Sequence, residues 1–129
     1  MKLADARGRY DYEMRAITIL FCVAALAPAQ SSPPGMRCPQ RTLILSESGE
    51  NAPNIARFQA EHFAYMRELM KSGKVITAGP TTDNHTAVIV LATKEWAEAE
   101  NILKKEPFHR EGVLKMVKHM VWNACELEP

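Results

Sequence analysis

The sequence predicts an α+β domain of ferredoxin-like type, βαββαβ, with a four-stranded antiparallel sheet carrying two helices on one face. Three observations predict it. Two amphipathic segments repeat apolar residues at spacings of three and four. Four short β-rich segments are bounded by Gly, Pro and polar residues. Their order along the chain is strand, helix, strand, strand, helix, strand, the split βαβ arrangement.

The elements follow in turn. Arg41–Ser46 (RTLILS) is short and apolar between polar flanks and reads as the first strand. Glu47–Pro53 is loop-like, and Asn54 is placed to cap a helix. Ile55, Phe58, His62, Met66 and Leu69 then form one helical face, which Gly73 ends. Val75–Ala78 is the second strand, closed by Gly79-Pro80, and Thr81–Thr86 is a polar loop. Ala87–Ala92 is a nearly continuous apolar, largely β-branched run, the mark of a central strand buried on both faces. Thr93 is placed to cap the second helix, whose inner face carries Trp96, Ala99, Ile102 and Leu103, and Pro107 stops it. Val113–Trp122 is the last strand, with Leu114, Met116, Met120 and Trp122 expected on one face and Lys115, Val117, His119 and Val121 on the other.

The N-terminal part reads differently. Ala16–Leu26 is an apolar run of about a dozen residues, short for a membrane span, preceded by Arg15 and followed by the small-x-small triplet Ala27-Pro28-Ala29. Residues 1–29 are therefore expected to be a signal peptide. Asp5, Asp11 and Glu13 are unusual in such a segment, and Met14-Arg15 makes a more ordinary beginning, so Met14 is an alternative start. Residues 30–40, with Pro33-Pro34-Gly35, read as an extended linker, and 41–125 as the domain. The expected location is the periplasm or the exterior.

From Gln30 onward Lys plus Arg balances Asp plus Glu, with no basic stripe, so nucleic-acid binding has no electrostatic support. No second apolar run is long enough for a membrane span. Cys38 and Cys125 remain after cleavage, one near each end of the domain. An even pair in an oxidising compartment reads as a disulfide, and the adjacent first and last strands of such a sheet let the two ends meet. Free or intermolecular thiols are the alternative.

His62 is the first candidate for chemistry, because an imidazole exchanges protons near neutral pH and this one lies on the apolar stripe of its helix. The competing reading is a satisfied core histidine. Glu106, just before Pro107, could orient His62 and stabilise its charged form; otherwise it is a solvated helix-end glutamate. Asp83, in the loop after Gly79-Pro80, is a substitute carboxylate or else a turn residue. His85, His109 and His119 are scattered and show no metal-ligand spacing, and no cofactor fingerprint is present.

The segments Glu61–Leu69 (EHFAYMREL), Gly73–Pro80 (GKVITAGP), Glu106-Pro107-Phe108 and Gly112-Val113 together resemble the YciI-like (YCII-related) family. The resemblance covers about Arg41 to Trp122. It implies a dimeric α+β barrel, in which two ferredoxin-like sheets pack face to face, and a pocket holding a His and an acidic residue. Some relatives are dehydrochlorinases or lyase-like enzymes. The chain departs from the pattern where Glu106 replaces the usual Asp, and in its export signal. Three functions follow as expectations: a small-molecule enzyme performing acid–base chemistry without a cofactor, of lyase or isomerase type; a non-catalytic homodimer with a small ligand in its cavity; or a structural dimer.

Overall fold

A computed structural model describes residues 32–129. The expected signal peptide and Met14 lie outside them. Among the described residues no helix is long and apolar enough to cross a membrane.

The elements are β1 (Met36–Arg37), β2 (Gln40–Ser48), a 3-10 turn (Ala52–Asn54), α1 (Ile55–Lys71), β3 (Val75–Pro80), β4 (Ala87–Leu91), α2 (Trp96–Lys105), α3 (Pro107–Arg110), β5 (Leu114–Asn123) and β6 (Glu126–Leu127). The main sheet is antiparallel with order β3-β4-β2-β5. The first and last long strands are thus neighbours, as the ferredoxin-like reading expects.

The core lies between this sheet and the helices. β2 alternates strictly, with Thr42, Ile44 and Ser46 buried on the helix side. Ile44 joins Ile89 and Leu91 of β4, Val75 of β3, Met66 and Leu69 of α1, and Ala99, Ile102 and Leu103 of α2 in one cluster. β4 is buried at Ile89, Val90 and Leu91, as a central strand should be. Ile55, the first residue of the apolar stripe of α1, is instead exposed.

Helix ends show where side-chain rules hold and where backbone geometry overrides them. Gly73 has φ +74, and Lys74 N–H donates to Leu69 O while Gly73 N–H donates to Met70 O, the double bond of a Schellman closure. At the start of α1, Asn54 occupies the cap position but its amide donates to Asn51 Oδ1 instead. Thr93 does not cap α2; its Oγ1 accepts from Glu95 N–H one step earlier, and Glu95 is the cap residue. Pro107 does stop α2, and it also begins α3.

Two further features depart from expectation. Part of the expected linker is structured: Met36–Arg37 pairs with Glu126–Leu127, beyond the expected domain end at 125. The Cys38–Cys125 disulfide adjoins this ribbon. Second, β5 does not keep one alternation. Ser46 faces Met116 and Leu45 faces Lys118, so Val117 is an extra residue and the parity flips there. Leu114 and Met116 share the helix side with Ser46, whereas Met120 and Trp122 lie opposite Leu43 and Arg41 on the other face. His119 consequently pairs with Ile44 on the helix side, where its ring stacks on Trp96 at 3.8 Å, rather than pointing to the open face of the sheet.

That open face carries an apolar row bordered by Arg41 and Lys118, which pair with Trp122 and Leu45. Leu43 and Leu45 of β2 pair with Val90 and Val88 of β4, and Met120 and Trp122 extend the row on β5. Trp122 is 45% exposed.

Candidate functional site

The site grows from one dipeptide. The residue before a proline is pushed into extended backbone, and Glu106 has φ −68, ψ 120. That geometry ends α2 and supplies the cap of α3, so the Glu106 side chain turns back to accept from Phe108 N–H (3.1 Å, Oε1) and His109 N–H (3.0 Å, Oε2). Pro107 at the first helical position has no N–H to satisfy. The turn carries Glu106 wholly inside the protein, with 0% exposure, so the solvated helix-end reading fails.

His62 reaches the same carboxylate from α1. Its Nδ1 lies 2.5 Å from Glu106 Oε1, and its ring stacks on Phe108 at 3.8 Å with planes 6° apart. A second imidazole arrives from α3 itself: His109 Nδ1 lies 2.5 Å from Glu106 Oε2. The outer nitrogen of His109, Nε2, is 2.8 Å from Ser46 Oγ on β2. Each carboxylate oxygen therefore receives one imidazole and one amide. Beside the pair, Arg110 donates to both oxygens of Glu61 at 3.0 and 3.1 Å, tying α3 to α1.

Burial pushes the Glu106 carboxyl up, but hydrogen bonds from His109 and His62 and from the amides of Phe108 and His109 outweigh it and hold it down at about 2. Glu106 is therefore ionised at neutral pH and accepts only. Both Nδ1 atoms must then carry the proton, which leaves Nε2 as the outer nitrogen of each ring. On His109 that nitrogen meets Ser46, which is buried. On His62 it belongs to a side chain that is 17% exposed. Tyr65 lies close enough for its hydroxyl to be raised, first by burial and then by the Glu106 charge, while it donates to Ile102 O at 3.1 Å.

Of the residues singled out from sequence, His62 and Glu106 come together. Asp83 does not join them. Its Oδ1 accepts from Thr81 Oγ1 (2.6 Å) and His85 N–H (3.1 Å), bonds that hold its carboxyl below the usual range and close the loop between β3 and β4. Two members were missed. His109, which spacing leaves among the scattered histidines, is three residues past a capping Glu, the position whose amide and ring both meet the cap side chain. Ser46 carries no local signal; only the register of β2 beneath α3 brings it there. Among the described residues no group of three or more His, Cys, Asp and Glu is arranged to hold a metal ion.

A model of the YCII-related domain matches residues 41–123. The chain belongs to the YCII-related family. Among solved structures, this YCII-related chain is similar to a 5-chloro-2-hydroxyhydroquinone dehydrochlorinase from Burkholderia phenoliruptrix AC1100, in complex with 2,5-dihydroxybenzoquinone. The identity is 19%, the match covers 64% of this chain and 89% of that one, and the TM-score is 0.48. No curated protein matches the chain.

Proposed function

We propose that this YCII-related protein is a small-molecule enzyme that uses His62 as a general base, in elimination or isomerisation chemistry, and that it works as an exported homodimer. The observation that carries the reading is the buried, ionised Glu106 bound to Nδ1 of His62. A carboxylate in that position holds the tautomer and stabilises the imidazolium formed when Nε2 takes a proton. In the step proposed, the Nε2 lone pair takes a proton from the carbon beside a carbonyl, the C–H electrons form a C=C bond, and the carbonyl π pair moves onto oxygen. The proton then returns at another position, or the electrons expel a leaving group. Nδ1–H stays on Glu106 throughout. Glu in place of the family's usual Asp keeps this contact, because the side chain folds back as the cap of α3.

Support for dimerisation is the apolar row of half-buried Leu43, Leu45, Val88 and Met120 with exposed Trp122, which a second copy would cover. Support for export is the Cys38–Cys125 disulfide, a bond typical of oxidising compartments. The same apolar row favours the second reading, a dimer that binds a small ligand without transforming it.

The test separates the two. Enolisable cyclic ketones, with and without a β-leaving group, are incubated in D2O with the wild type and with His62→Gln, and C–H loss is followed by NMR. Exchange or elimination that needs His62 supports the enzyme. Ligand-induced shifts without turnover on any compound support the binding protein.

A further inference from the structure

The second imidazole on Glu106 is not required by a two-residue His–carboxylate pair, and its geometry gives it a role. Ser46, His109 and Glu106 have the spacing of a nucleophile, base and orienting acid. Ser46 is only 1% exposed, however, so no substrate reaches its hydroxyl, and hydrolysis through it is excluded by burial. The chain of contacts instead runs from Ser46 towards His62. With Nδ1 of His109 donating to Oε2, its Nε2 accepts from Ser46 O–H, which locks both the ring and its tautomer.

We propose that His109 is a positioning residue for His62: by donating to Glu106 Oε2 it fixes the carboxylate and draws off part of its charge, setting how strongly Oε1 holds a proton on His62. This deepens the function proposed above and rests on it. One carboxylate charge serves two rings, so protonating one ring weakens the case for protonating the other. The remaining charged and titratable neighbours do not take over this role. On α1, Glu61 is engaged by Arg110 of α3, and the Tyr65 hydroxyl donates to Ile102 O. Ile102 and Leu103 of α2 are apolar, and β2 offers the neutral Ser46.

The test uses two variants that each keep half of the ring's contacts. In His109→Asn the amide nitrogen stands where Nδ1 stood and can still donate to Glu106. In His109→Gln it stands where Nε2 stood and cannot. The His62 titration is followed by NMR in both. The expected result is a midpoint raised by about one unit, a tenfold gain in proton affinity, in His109→Gln and close to wild type in His109→Asn. An unchanged or lowered His62 midpoint in His109→Gln overturns the proposal. A purely structural role would move thermal stability in both variants without this split.

A measurement on the wild type alone applies even if the variants fold badly. Ring nitrogen NMR at pH 8 should show His109 as the Nδ1–H tautomer; the Nε2–H tautomer overturns the proposal. If Glu106→Gln shifts the His62 midpoint while His109→Gln does not, this inference fails and the His62–Glu106 pair stands. If neither shifts it, the pair fails as well.

Discussion

Replacing Glu106 with Gln keeps the shape of the side chain and removes the charge that organises the site. The carboxylate accepts four bonds, two imidazole and two amide. A Gln amide offers one oxygen in place of two and turns a pair of N–H donors towards the other ring and amide, where donor meets donor. Glu106 titrates at about 2 instead of 4.5. At 1.36 kcal/mol per unit, that shift corresponds to about 3 kcal/mol of stability from ionised Glu106. Because the folded value is the lower one, this contribution is fully present above the unfolded value and is lost as pH falls towards the folded one. Working from pH 5, below the ordinary histidine range, about 2 kcal/mol is lost by pH 3 and about 3 kcal/mol by pH 2. Urea unfolding of wild type and variant at pH 5, 3 and 2 measures the difference directly, since the other carboxyls cancel. The wild type should be more stable by about 3 kcal/mol at pH 5, and most of that gap should close by pH 2. A gap below about 0.5 kcal/mol at pH 5, or one that stays constant down to pH 2, would refute the reasoning.

Three further outcomes follow from the fold. Reducing the Cys38–Cys125 bond, which spans 87 residues, should cost about 4–5 kcal/mol by the chain-entropy argument, read as a lower denaturant midpoint with dithiothreitol. Gly49→Ala should destabilise by about 2 kcal/mol or more. A Cβ at Gly49 would lie 2.1 Å from Gly112 O, and separating the loops loses the Gly49 N–H to Val113 O and Asn51 N–H to Gly112 O bonds; a thermal shift of at least about 8 °C is expected. Leu45→Asp should leave the fold intact and convert a dimer to a monomer in light scattering, because its side chain lies in the apolar row of the open face; an unchanged mass would place the dimer contact elsewhere.

The parts of the fold that were legible in the sequence are those set by local periodicity. The stripe through Met66 and Leu69 and the run Ile89-Val90-Leu91 are buried where the pattern puts them. The alternation of β5 was not legible across Val117, because a bulge is set by pairing with β2 and leaves no mark in the strand's own sequence. The Met36–Arg37 ribbon was hidden for the same reason, since its partner lies ninety residues away. In the site, His62 and Glu106 could be singled out because an imidazole on an apolar stripe and an acid before a proline both carry physical meaning. His109 and Ser46 could not, since what they do depends on where α3 sits over β2. The backbone rule for the residue before proline, taken one step further, would have turned Glu106 inward and drawn attention to His109.

The central feature of the site is the charge coupling between Glu106 and His62. The most direct measurement is the His62 titration by NMR, in wild type and Glu106→Gln. His62 should titrate, and losing the carboxylate should lower its midpoint by about one unit, since a nearby anion favours the imidazolium. A midpoint that is unchanged, or that rises, would contradict it.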